Sequence, residues 1–176
     1  MTSPPRPSPL TLSLLLLALA CDTAREAPPP SGGLALGPAA LAGGRYIVSV
    51  PGGLDTVTLS AGRHIDETTS AETLLLPLAA WGDLHGDDRR EVATVIVTRV
   101  PGEGALHEMV VVADRRGRPV QIAHQFLGNG VDVEGLRIAD RSVTVQMQVH
   151  RPDDPPCCPT ERVSRRFTIQ GRTPGP

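Results

Sequence analysis

Ser142-Val143-Thr144-Val145-Gln146-Met147-Gln148-Val149-His150 puts apolar residues at every second position, with polar ones between them. Successive side chains of a strand point to opposite faces, so this is the pattern of a half-buried β-strand. Working outward, similar runs occur at Tyr46 to Val50, Thr56 to Ala61, Val92 to Val100, Met109 to Ala113, Val120 to Leu127, Val131 to Ile138 and Val163 to Ile169. Turn chemistry separates them, in Asp114-Arg115-Arg116-Gly117-Arg118-Pro119, Gly128-Asn129-Gly130 and Ala139-Asp140-Arg141. In the run after Gly130 the apolar positions change parity at Gly135, from Val131 and Val133 to Leu136 and Ile138, which a β-bulge would produce. Only Ala71 to Trp81 reads as a short helix, and Pro77 limits it. Short connections between successive strands predict an all-β domain: an antiparallel meander forming a small sandwich or partly closed barrel, with at most one short helix.

Upstream of that domain, the apolar stretch from Leu10 to Ala20 is too short for a bilayer, which needs about 20 residues, and reads as a removable signal peptide over residues 1–20. Small residues at Ala18 and Ala20 put Cys21 first in the mature chain. The arrangement resembles the lipobox of bacterial lipoproteins, which implies a lipid-modified Cys21 anchored to a membrane. The lipobox usually has leucine three positions before the cysteine and a small residue two before, where this chain has Ala18 and Leu19. Ala18-Leu19-Ala20 also fits ordinary A-x-A secretory cleavage, so a secreted protein is the alternative. Residues 22–44 are mostly Ala, Pro, Gly, Leu and Ser, with Pro28-Pro29-Pro30 and Ser31-Gly32-Gly33 at the centre, and are expected to form a disordered tether behind Cys21. Such a tether would hold the β domain, residues 45–170, about 25 Å from the membrane. Residues 171–176 are expected to be a disordered tail.

All 17 basic residues are arginine, against 19 acidic ones, and removal of residues 1–20 leaves 16 against 19. With no basic patch, nucleic acid is not an expected partner.

Two stretches carry potential chemistry. Gly82-Asp83-Leu84-His85-Gly86-Asp87-Asp88-Arg89-Arg90-Glu91 spaces oxygen donors around a tight turn, as a hard cation with six to eight oxygen ligands requires. It resembles the calcium element of dockerin-like and integrin-type repeats, with Asp83, Asp87 and Glu91 as the matching acids. His85 stands where that element has an oxygen ligand and Asp88 where it has the turn glycine, both of which weaken calcium binding. The competing expectation is a loop whose acids bond backbone amides and Arg89 or Arg90.

The second stretch is His150-Arg151-Pro152-Asp153-Asp154-Pro155-Pro156-Cys157-Cys158-Pro159-Thr160. With Cys21 lipidated, Cys157 and Cys158 have only each other in an oxidising compartment. Adjacent Cα atoms are about 3.8 Å apart across a trans peptide, below the usual disulfide range, so a vicinal disulfide would be strained and more reducible than ordinary bridges. Three states are compatible with the sequence: a vicinal disulfide that stiffens the loop, a soft-metal or thiol-redox site of the two sulfurs with or without His150, and reduced buried thiols.

His124 falls in register with Val120, Ile122 and Phe126 and is expected to face the core, while His150 takes the polar face and His64 and His107 lie at segment edges. There is no G-x-S-x-G, H-E-x-x-H or phosphate-loop motif, so no enzymatic activity is expected. Together, the tyrosine-bearing strand, Val57-Thr58-Leu59 ending at Gly62, the Gly82-Asp83 loop and the terminal His150 to Pro159 motif resemble a family of bacterial envelope lipoproteins. That family has a G-D-x-x-G-D loop and a C-terminal D-P-x-C-C-P motif, and the resemblance spans roughly residues 45–169. It implies shared architecture and supplies no activity. The expectation is a lipid-anchored cell-envelope protein facing the periplasm or exterior, acting as a non-enzymatic binding or structural module. The alternative is a metal-handling or thiol-redox lipoprotein using Cys157 and Cys158. No cofactor is expected beyond calcium at the acidic loop, and the sequence names no protein or ligand partner.

Overall fold

Val92 to Val97 is apolar at both parities, apart from Thr94, and a strand of that kind is stable only if both of its faces are covered. The computed structural model describes residues 36–169, and it puts this strand at the centre. The described elements are α1 (Pro38–Ala42), β1 (Arg45–Val50), β2 (Gly53–Thr58), β3 (Arg63–Ile65), β4 (Glu72–Gly82), β5 (Glu91–Val100), β6 (Gly104–Asp114), β7 (Pro119–Asn129), β8 (Asp132–Ala139), β9 (Ser142–Val149) and β10 (Glu161–Thr168). They form a five-stranded sheet in the order β3-β4-β5-β6-β7, a three-stranded sheet β10-β9-β8 and a β1-β2 hairpin. Every pairing is antiparallel and joins neighbours in sequence, so the expected meander is present, in three pieces and without closing into a barrel.

The three pieces stack as layers with the five-stranded sheet in the middle. Ala93, Val95, Met109 and Val111 on one of its faces pack with Val133, Val143, Val145 and Met147 of the three-stranded sheet. The opposite face presents Val92, Ile96, Val110 and Val112 to Tyr46, Val48 and Val57 of the hairpin, to Leu59 just after it, and to Leu36 and Leu41, the latter within α1. Odd and even residues of β5 and β6 therefore enter different cores. β9 has one buried face, as its alternation predicts. The register shift in β8 lies between Val133 and Gly135, where the parity changes, and the two-residue turn into β9 has positive φ at both Asp140 and Arg141, as a tight hairpin requires.

Two local expectations fail. Ala71 to Trp81 is not a helix: Glu72–Gly82 is a strand paired with β3 and β5. Leucine favours a helix only weakly, and burial on both sides of the sheet outweighs that preference. Pro77 sits inside the register shift between Leu75 and Ala79, where no ladder N–H is needed from it, and the hydroxyl of Thr94 donates to the Leu78 carbonyl at 2.8 Å. The tether also ends earlier than residue 44. Leu36 and Leu41 are buried in the hairpin-side core, and α1 starts with a proline, which a first helical turn accepts because that turn leaves its N–H groups unbonded. The Tyr46 hydroxyl donates to the Leu41 carbonyl at 2.7 Å and the Trp81 indole N–H to the Leu36 carbonyl at 3.2 Å. Tyr46 crosses so close to Gly44 that a Cβ there would lie 2.6 Å from its hydroxyl oxygen. The signal peptide, Cys21, the tether up to residue 35 and the tail 171–176 lie outside the described residues.

Candidate functional site

The acidic loop joins β4 to β5 and is organised by two of its own carboxylates. Oδ1 of Asp83 accepts the backbone N–H groups of His85 at 3.0 Å, Gly86 at 2.5 Å and Asp87 at 3.3 Å, and Oδ2 accepts that of Asp88 at 3.0 Å. Desolvation pushes the Asp83 carboxyl upward, but the four amides together outweigh it and hold it below the usual carboxylate range. Glu91 turns inward, accepting the Leu84 N–H at 2.9 Å and lying 3.0 Å from Nδ1 of His85. Asp87 accepts the Arg89 N–H at 3.1 Å. All three matching acids therefore bond backbone N–H groups of the loop, Asp83 and Glu91 from partly or fully buried positions and Asp87 from an exposed one. Among the described residues no group of three or more His, Cys, Asp or Glu side chains is placed to share one metal ion. The guanidinium of Arg141 lies against Gly86, and Asp88 occupies the left-handed region at φ +59°, the conformation for which a glycine is normally used.

The cysteine loop connects β9 to β10. The sulfurs of Cys157 and Cys158 are in disulfide-like contact with their Cα atoms 3.8 Å apart, and both residues are exposed rather than buried. Asp154 clasps the loop: its carboxylate accepts the Arg151 N–H at 2.8 Å, the Thr160 N–H at 2.9 Å and the Thr160 hydroxyl at 2.8 Å. Those bonds, the Arg151 amide foremost, hold its carboxyl below the usual range. His150 is not part of a sulfur cluster; its Nε2 lies 3.1 Å from the Gly130 carbonyl.

A polar group under the hairpin was not anticipated from sequence. Glu108 is fully buried, with Oε2 bonded to Nε2 of His124 and Oε1 accepting the Ser49 N–H at 2.5 Å. Gln121 supports the same β1 edge, accepting the Ile47 N–H at 2.7 Å and donating to the Ile47 carbonyl at 3.3 Å. The signal for Glu108 lies in its parity with Val110 and Val112, which are buried against the hairpin. His124 does face inward, on the Glu108 and Val110 side of the sheet, and it is satisfied there by Glu108, while the apolar row expected around it is broken. A register shift opposite Val111 and Val112 turns Ile122 toward the other core, and Val120 and Phe126 are exposed. Between β7 and β10, each the last strand of its sheet, lies an open groove of about 330 Å³ lined by residues 123–125 and 166–169.

The fold and these loops define an all-β domain of three antiparallel layers. Residues 88–172 match the model of the LppP/LprE lipoprotein family, a stretch running from within the acidic loop to just beyond β10 and including both cysteines. That match supports a lipoprotein family for the chain. No curated protein and no solved structure matches it. Among the described residues no helix is long and apolar enough to cross a membrane.

Proposed function

We propose that the chain is a lipid-anchored protein of the bacterial cell envelope, held through Cys21, whose β domain serves as a non-enzymatic binding or structural module on the periplasmic or exterior side. The observation that carries this reading is the match of residues 88–172 to a lipoprotein family, in a chain with a signal-like stretch ending at Cys21. The domain's own polar contacts support the non-enzymatic part. Glu108 and His124 hold β1, Asp83 and Glu91 hold the acidic loop, and Asp154 holds the cysteine loop, so these groups are occupied in building the domain.

The test is metabolic labelling of the full chain with an alkyne palmitate analogue in a bacterial host, alongside Cys21→Ser. The expected result is label on the unaltered protein, recovery in the detergent phase, and loss of both in the variant. An unlabelled, freely released protein would replace the anchor by ordinary secretion.

A further inference from the structure

We propose that the Cys157–Cys158 bridge is a thiol–disulfide exchange site that reacts reversibly with small or protein-borne thiols, rather than a staple of the fold. Two observations and one general argument converge on it. Both cysteines are exposed, so an incoming thiolate can reach either sulfur. The loop is closed without them: β9 and β10 pair from Val149 and Glu161 onward, and Asp154 ties Arg151 to Thr160 across the excursion. A disulfide stabilises chiefly by closing a loop of the unfolded chain, and one between adjacent residues closes the smallest loop available. The bridge therefore adds little that the clasp does not already supply.

The local backbone also favours re-formation. Cys157 and Cys158 occupy the last two positions of a turn in which the Cys158 N–H donates to the Pro155 carbonyl at 3.0 Å. Pro156 fixes its own φ and Pro159 restricts Cys158, so the two thiols stay together once the bond is open. In the forward direction a thiolate attacks one sulfur, the Cys157–Cys158 bond breaks, and the departing cysteine leaves as a thiolate that takes up a proton. A second thiolate then attacks the resulting mixed disulfide at the external sulfur, releasing an external disulfide and the other cysteine thiolate, which is protonated in turn. Two external thiols are oxidised to one disulfide, and the protein bridge is reduced to two thiols. The reverse sequence, with an external disulfide as oxidant, restores it.

The site is independent of the anchor, so the experiment uses the full chain carrying Cys21→Ser, equilibrated natively in buffers of varied reduced-to-oxidised glutathione ratio. Samples are quenched in acid, alkylated and weighed intact. Two alkyl groups are expected to appear together within the accessible ratios and to disappear when oxidised glutathione is restored, with Tm changing by no more than a few degrees. Cys157→Ser/Cys158→Ser is expected to keep a near-native Tm. A bridge that resists excess glutathione until the protein is denatured, thiols that stay unpaired at every ratio, or a domain that unfolds on reduction would each overturn the proposal.

Discussion

The central sheet is covered on one face by the β8-β9-β10 meander and on the other by the β1-β2 hairpin with α1, and the two covers are fastened differently. Val143, Val145 and Met147 lay a row of apolar side chains on the first face. On the second, Tyr46, Val48 and Val57 bury apolar surface too, but the β1 edge is also gripped by the side chains of Glu108 and Gln121. The matched family stretch includes the whole first cover and none of the second. An apolar cover tolerates any substitution of similar volume, whereas a cover gripped by buried polar groups depends on single atoms.

The largest expected effect is therefore at Glu108. Glu108→Ala strands the His124 imidazole and the Ser49 N–H beneath the hairpin and should cost about 3–5 kcal/mol in urea unfolding, the range for breaking a buried pair. Met147→Ala, in the opposite core, should cost about 2–5 kcal/mol through its cavity, and Met147→Leu less than about 1.5 kcal/mol. The conservative replacement Glu108→Gln should still be measurably destabilising, since it leaves one oxygen where the Ser49 N–H and His124 meet two. If Glu108→Gln were as mild as Met147→Leu, the contrast between the covers would be lost.

Tyr46 tests the hairpin cover at smaller scale. Tyr46→Phe removes the bond to the Leu41 carbonyl and should cost about 1–2 kcal/mol. It should also change alkaline behaviour. Burial pushes the Tyr46 hydroxyl up to about 12 from 10.0. Its contribution is complete below pH 10, where the hydroxyl is neutral in both states. Above that the unfolded chain ionises first, and the contribution is lost as pH rises toward 12. Unfolding measured from pH 9 to 12 should show a component that Tyr46→Phe abolishes.

The same division decided what could be read from sequence. The meander cover was legible because one buried face imposes strict alternation, as in Ser142–Val149, and because Gly135 marks its bulge by a change of parity. β5 was legible as a continuous apolar run bounded by the acidic loop and the Pro101-Gly102 turn. β4 was not, since its Leu74-Leu75-Leu76-Pro77 run has no period and its bulge is fixed by β5 across the sheet. The start of the hairpin cover was hidden as well. Leu36 and Leu41 sit in an Ala-Gly-Pro context indistinguishable from the tether, and what orders them is contact with Tyr46 of β1 and, across the fold, with Trp81 of β4. At the acidic loop the acids are legible in the sequence, but what each oxygen bonds is a matter of three-dimensional geometry.

The loops on the meander side carry the acid-sensitive counterpart of Tyr46. Asp83 and Asp154 both titrate below the usual carboxylate range because backbone amides hold the charged form. Their contribution is present above the unfolded value near 4 and is lost as pH falls through the lower folded value. Asp83→Ala should therefore lower Tm at neutral pH and flatten its decline on acidification. It should do so in calcium and in chelator alike, because the amides it orphans are there with or without an ion. A Tm of the unaltered chain that rises with calcium would show instead that the loop gathers its acids around a cation.

The smallest expected effect separates backbone from charge within this same loop. Asp88 and Gly86 both hold positive φ, at +59° and +75°. A left-handed residue other than glycine costs about 1–2 kcal/mol, which aspartate partly relieves, while glycine carries an entropic cost of about 0.5–1 kcal/mol in the unfolded chain. Asp88→Gly should thus be neutral or stabilising by at most about 1 kcal/mol, since its N–H still reaches Asp83. Gly86→Ala should be destabilising, because the new Cβ meets both the left-handed backbone and the Arg141 guanidinium. Opposite signs at two positions separated by one residue would show that Asp83 and its amides set the shape of the loop, with Asp88 accommodated rather than required. Destabilisation by Asp88→Gly would mean that the Asp88 carboxylate itself holds the loop.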